Sequence, residues 1–186
     1  RLKNKPKLET EINNNLEQLA MPNAQIKIDI QKSKGLTING ISELQFLFKT
    51  NLGGDFLTIK KTASGGELSR LMLSILGIIA DLKSLPTMIF DEIDTGVSGE
   101  VAAKMAVMFK KLGQKSQIIS ITHLPQIAGK GNLHYHVFKS DDKNITRTKV
   151  TLLSEDERIM ELAKMTSGEI ITESAIANAK QLLTNE

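Results

Sequence analysis

The sequence predicts an α/β fold, a mixed sheet flanked by helices, and three features carry that prediction. Between Thr87 and Thr122 a short unalternating apolar run, a helix-length segment and a second apolar run follow one another. That order gives a right-handed crossover and parallel strands. Upstream, residues 24–60 alternate apolar and polar with the two-residue period of half-buried strands. Between these regions, residues 67–83 are apolar nearly all round (Leu68, Leu71, Met72, Leu73, Ile75, Leu76, Ile78, Ile79), the mark of a buried helix.

Taken in order, residues 7–19 carry Leu8, Ile12, Leu16 and Leu19 at helical spacing. The stripe is narrow, and it reads either as the last turns of a coiled coil or as a short surface helix. Met21-Pro22-Asn23 ends it. Ile26, Ile28 and Ile30 then alternate with Lys27 and Asp29, and Ser33-Lys34-Gly35 and Asn39-Gly40 are turn-like. Leu44, Phe46 and Phe48 alternate again, and residues 56–60 add a short strand, so residues 24–60 read as a small, mostly antiparallel sheet. Gly77 inside the long helix costs up to about 1 kcal/mol against alanine, which points to something packed closely there. Residues 87–90 and 117–122 read as strands covered on both faces. Ser98 is placed to cap a helix over Gly99–Leu112 that Gly113 closes. Residues 133–139 and 145–152 read as a hairpin across 141–144. Ser154 and Glu157 form a capping box opening a helix to about Met165, and a last helix spans 169–183.

Composition narrows the function. At 186 residues, 40% hydrophobic and 24% charged, the chain suits one well-cored soluble domain, alone or with an appendage. No cysteine is present, which excludes disulfides and thiolate metal sites and suits a reducing cytoplasm. The longest apolar stretch, residues 71–80, is too short to span a membrane and is broken by Ser74 and Gly77, so no membrane partner is expected. The opening Arg-Leu-Lys-Asn-Lys-Pro-Lys has no apolar core behind it and is not a signal peptide. A net charge of +3 is too small to argue for nucleic acid, and without Trp and with one Tyr a base-stacking platform is not expected.

Three short segments carry chemistry. In Ala63-Ser64-Gly65-Gly66-Glu67-Leu68-Ser69-Arg70, Ser64 and Glu67 are spaced as a capping box. The same geometry presents backbone N–H groups, unobstructed by side chains at Gly65 and Gly66, to an anionic phosphate. Asp91-Glu92 closes the first apolar strand. The pair reads as solvated loop residues, or as the two carboxylates of nucleotide hydrolysis: one holding Mg²⁺ through its waters, the other directing the attacking water. His123 closes the second strand, either as a structural residue or as a donor to a γ-phosphate. His134 and His136 share a strand face at a chelating spacing, but no third ligand accompanies them, and a metal site is discarded. No G-x-x-x-x-G-K-[S/T] loop occurs in the chain.

In this order the segments A-S-G-G-E-L-S-R, I-F-D-E-I-D-T-G-V-S-G and S-I-T-H-L-P-Q-I-A-G resemble the carboxyl-terminal half of the RecN family of bacterial DNA repair proteins, relatives of the SMC proteins. Glu67 stands where transporter-type signatures carry glutamine, and the similarity extends through residues 46–53 and 175–183 to nearly the whole chain. The resemblance implies the carboxyl-terminal lobe of an ABC/SMC-type P-loop ATPase head (residues 21–186), with residues 1–20 the stump of a coiled-coil helix. On that basis residues 63–70 are the signature motif, 87–92 Walker B, 94–98 the D-loop and His123 the switch histidine. Ser64, Gly65, Gly66 and Glu67 would meet ATP held by a second head. Asp91 would serve Mg²⁺, Glu92 the hydrolytic water, and Asp94, Thr95, Gly96 and Ser98 would cross the dimer interface. The implied cofactors are ATP and Mg²⁺. The implied partners are an amino-terminal lobe carrying the P-loop, a second head across two sandwiched ATP molecules, and DNA, in the bacterial cytoplasm at the nucleoid. Without a P-loop the chain alone is expected to be inactive. The rival readings are a head lobe of another SMC or ABC ATPase, and a DNA-bridging lobe that does not hydrolyse.

Overall fold

The computed structural model describes residues 1–62, 65–142 and 145–184. Helix α1 (Lys5–Gln18) begins with Pro6 in its first turn, where the missing N–H has no intrahelical partner to lose. It lies along β1 (Gln25–Thr37), which pairs antiparallel with β2 (Gly40–Lys49); β2 pairs in turn with the two-residue β3 (Leu57–Thr58). The expected break at Ser33-Lys34-Gly35 is instead an irregularity between Lys32 and Thr37 inside a longer β1, and the chain turns at Gly40, whose φ of +95° suits a residue without Cβ. The expected strand over 56–60 stops at Thr58, and a short α2 (Ile59–Thr62) comes next.

Side chains of α1 cover the outer edge of β1. Asn13 Oδ1 accepts from the Ile26 N–H at 2.8 Å and Glu9 Oε1 from the Ile28 N–H at 2.6 Å. Four helical residues rise about 6.0 Å and two strand residues about 6.6 Å, so groups one turn apart on α1 meet alternate N–H groups on β1. An edge that would invite strand addition is thereby blunted. The apolar stripe of α1 turns inward: Ile12, Leu16 and Leu19 are buried, the first two with Ile26, Phe48, Leu71 and Ile78.

Helix α3 (Gly65–Lys83) owes most of its apolarity to its position between two cores, but the expectation of burial all round is corrected, since Leu68 and Met72 are exposed. Leu71 and Ile78 face the α1–sheet core, while Leu73 and Ala80 face a second core built on β4 (Thr87–Asp91) and α4 (Gly99–Leu112). Gly77 is less crowded than its occurrence suggested: a Cβ there would meet a Leu112 methyl at 3.7 Å, an ordinary contact. The β4–α4–β5 unit (β5, Gln117–Ile121) has the expected parallel pairing, Thr87 to Asp91 against Gln117 to Ile121. The expectation that these strands are covered on both faces is corrected. Met88 and Phe90 pack on α4, with the Phe90 and Phe109 rings 4.8 Å apart, but Ile89, Ile119 and Ile121 on the other face are 66%, 42% and 50% exposed.

Beyond β5 a short α5 (Pro125–Ala128), not anticipated from sequence, leads to the β6 (Tyr135–Asp142) and β7 (Ile145–Leu152) ribbon. The predicted turn residues Lys143 and Asn144 lie outside the described residues. Helix α6 (Glu155–Ser167) opens with the predicted capping box, both reciprocal hydrogen bonds of Ser154 and Glu157 being present. It packs on α7 (Glu173–Thr184) through Leu162, Ala163, Ala175 and Ala179. The predicted start of this last helix at 169 is early by four residues, because Gly168 takes φ +77° and the chain restarts at Thr172, whose hydroxyl accepts from the Ala175 N–H. Among the described residues the strands make three small sheets rather than one mixed sheet. No described helix is long and apolar enough to cross a membrane.

Candidate functional site

Parallel pairing fixes the site's frame. Asp91 is in register with Ile121, and the Glu92 N–H donates to the Ile121 carbonyl at 3.0 Å. Asp91-Glu92 and His123 therefore leave the same carboxyl-terminal edge of a two-stranded parallel sheet, the edge at which open α/β sheets receive ligands. Asp91, Glu92 and His123 are all exposed. Glu92 takes φ +47°, left-handed for a residue with a side chain. Its carbonyl accepts from both the Thr95 N–H (3.1 Å) and the Thr95 hydroxyl (2.9 Å), which fix the turn.

The segment after Glu92 is held from three sides. Gly66, in the first turn of α3, lies where a Cβ would stand 3.3 Å from the Gly96 carbonyl oxygen and 3.5 Å from Val97. A Cβ on Gly99 would stand 3.1 Å from the Gln126 amide of α5. Asp94, 1% exposed, accepts through Oδ2 from the Thr122 hydroxyl. Thr95, Gly96 and Ser98 are exposed, whereas Asp94 is turned into the lobe. Ser98 occupies the predicted cap position, with extended backbone and its carbonyl accepting from Ala102, but its side chain makes no cap hydrogen bond.

At the amino terminus of α3, Gly65 has no atom within 4 Å of the position a Cβ would take, so its surface is open. Ser64 and Ala63 lie outside the described residues, and the predicted capping contact of Ser64 with Glu67 with them. Arg70 secures this turn. Its Nε donates to the Gly66 carbonyl at 3.0 Å, and a terminal nitrogen reaches the Leu19 carbonyl at the end of α1 at 3.4 Å. Burial lowers the Arg70 pKa, and the negative charge of Glu67 opposes that shift.

Sequence reasoning did not single out Thr122, Gln126 or the contact of Gly66 with Gly96. Thr122 carried one available signal, a polar residue closing an apolar strand directly before the singled-out histidine. Of the other histidines, His136 Nε2 lies 3.7 Å from Glu161 of α6, and His134 is half-buried under the influence of Arg158. Among the described residues no group of three His, Asp or Glu side chains could by itself hold a metal. Asp91 and Glu92 fit a cation that arrives with most of its ligands, as Mg²⁺ does with waters and nucleotide phosphates.

No family model matches the chain. It is 42% identical over 173 residues to the DNA repair protein RecN of Vibrio cholerae, covering 92% of this chain and 31% of the relative. To RecN of Rickettsia typhi it is 43% identical over 176 residues, covering 95% and 32%. The chain spans about a third of the length of these curated relatives, their carboxyl-terminal part. Among solved structures, an SMC ATPase chain described for ATP-driven dimerization and DNA-stimulated activation superimposes with a TM-score of 0.62 at 19% identity, covering 91% of this chain and 97% of that one. At that identity the likeness establishes a shared fold, the SMC head.

Proposed function

We propose that this chain, which corresponds over 92–95% of its length to the carboxyl-terminal part of RecN DNA repair proteins, is the lobe that completes an ATP-hydrolysing head acting in repair of DNA double-strand breaks. One observation carries the reading: the ends of two parallel strands gather Asp91, Glu92 and His123, and the loop between them rests against the first turn of α3.

Asp91 would hold Mg²⁺ through its waters, and the ion would supply positive charge to offset that of the nucleotide phosphates. Glu92, on its pinned left-handed turn, orients and deprotonates the attacking water. His123 donates to the γ-phosphate oxygens. Gly65 and Gly66 offer backbone N–H groups to the phosphate of ATP carried by a second head, a role proposed for Ser64 as well, so two heads close on two nucleotides. The positive end of the α3 dipole and the exclusion of water strengthen each contact in the closed state. This arrangement is in keeping with the ATP-driven dimerization described for the SMC relative.

The phosphate-gripping loop comes from an amino-terminal lobe. The bare face of β4 and β5 supports such a neighbour: parallel strands are ordinarily covered on both sides, and Ile89, Ile119 and Ile121 await a cover. Residues 1–20 lead into a coiled coil that joins the two lobes, and Thr95, Gly96 and Ser98 face the partner head.

Combining this chain with an amino-terminal lobe that carries the P-loop should yield Mg²⁺-dependent ATP hydrolysis that neither part shows alone. Glu92→Gln should then lower turnover by roughly 10²–10⁴-fold while ATP still drives dimers. Turnover that survives the substitution would remove Glu92 from its role.

A further inference from the structure

The Asp94 carboxylate is buried, 1% exposed, and among the described residues no cationic side chain pairs with it. One oxygen, Oδ2, accepts from the Thr122 hydroxyl, while Oδ1 has no hydrogen-bond partner. An ionisable group in such a place is costly to the fold, and two residues earlier Glu92 adds a second local cost with its left-handed φ of +47°. Two costs side by side in a loop of this kind mark a place where geometry, rather than stability, is being set.

The connections show what is set. Thr122 donates to Asp94 and accepts from the Leu124 N–H at 3.0 Å, so its hydroxyl is fixed as donor and acceptor at once. The two residues flanking His123 are thus both pinned and partly covered, while His123 itself is exposed. On the other side, the Asp94 carbonyl accepts from Val97 at 3.2 Å, and the Glu92 carbonyl is held by Thr95. One buried carboxylate joins the turn that presents Glu92 to the turn that presents His123.

We infer that Asp94 is a positioning residue: through the Thr122 hydroxyl it holds His123 at a fixed offset from Glu92, so that both meet the same γ-phosphate and water. This rests on the roles given above to Glu92 and His123, and it assigns Asp94 a task inside its own lobe rather than across a dimer interface. Threonine suits the task because its branched Cβ restricts χ1 and its hydroxyl bridges both partners.

Substitution of Asp94 itself risks the fold, so the test uses Thr122 in the full-length protein and reads steady-state ATP hydrolysis. Thr122→Val keeps the shape and removes the hydroxyl. It should lower kcat by about tenfold or more, in keeping with the cost of small misplacements of catalytic groups, with KM for MgATP held within about twofold. Thr122→Ser, which keeps the hydroxyl, should restore most of the loss. In a His123→Ala background, Thr122→Val should add nothing further. Equal losses in Thr122→Val and Thr122→Ser, or losses that multiply with His123→Ala, would overturn the clamp. If His123→Ala cuts turnover and Thr122→Val does not, the clamp alone fails. If His123→Ala leaves turnover intact, the role of His123 fails and takes the clamp with it.

Discussion

Glu92 holds a backbone conformation that costs a residue with a side chain about 1–2 kcal/mol, and two hydrogen bonds from Thr95 keep it there. Gly66 illustrates the opposite device, a residue whose lack of Cβ lets the Gly96 carbonyl approach. Gly77 needs no such approach. With the Leu112 methyl 3.7 Å from the position of a Cβ, alanine fits, and Gly77→Ala should raise unfolding free energy by up to about 1 kcal/mol. Denaturant titration checks this; a loss of stability would mean that the helices pack closer in solution. Asp91, Glu92 and His123 were legible in the sequence because each closes an apolar run, and a strand's end exposes the residues just beyond it. The turn of Asp94 into the lobe was not legible, since Asp91-Glu92-Ile93-Asp94 offers no period by which to tell an inward carboxylate from an outward one.

At the scale of elements, periodicity located most helices and strands, and its errors have local causes. Helix α5 was missed because four residues are too few to show a helical period. The alternation of burial along β4 was hidden because Ile89 is as apolar as its buried neighbours Met88 and Phe90, so composition could not report which face is bare. The β6–β7 ribbon meets α6 through His136 and Glu161, with His134 in the field of Arg158. Burial, then the Arg158 charge, lower the His134 pKa; Glu161 opposes this and His136 adds to it. The folded chain thus binds a proton at His134 less readily than the unfolded chain, whose imidazole titrates near 6.5. Stability contributed here is complete above about pH 6.5 and declines as pH falls below it. Melting temperatures between pH 8 and pH 5 should show that decline, and His134→Gln should flatten it. An unchanged slope in the variant would place the effect elsewhere.

For the whole molecule, two of the three small sheets among the described residues share cores with α3, and one of them, the parallel pair, is half dressed. Covering a side chain such as Ile89 stabilises by about 1.5–3 kcal/mol when burial is complete, enough for three isoleucines to bias association strongly. Ile89→Lys should change the stability of this lobe by no more than about 1 kcal/mol, because the residue is already 66% exposed. The same substitution should abolish its association with an amino-terminal lobe, as read by analytical ultracentrifugation. Unaltered association would assign that face to another neighbour. Spacing and order of motifs made the SMC-head fold legible, but the matched share of the relatives is nearer a third than the half expected.

The claim that two heads share each nucleotide has a direct test in the full-length protein. A Cβ on Gly65 would meet nothing within 4 Å, so Gly65→Arg should leave the lobe folded and, on the proposed reading, spoil only what it offers to a second head. On the same reading, Glu92→Gln should spoil only the head's own site. Each variant alone should be inactive in ATP hydrolysis. Mixed, they form heterodimers in which one nucleotide meets an intact Glu92 from its own head and an intact Gly65 from the other. The mixture should regain a substantial fraction of wild-type ATPase activity; activity no greater than that of the separate variants would contradict the shared site.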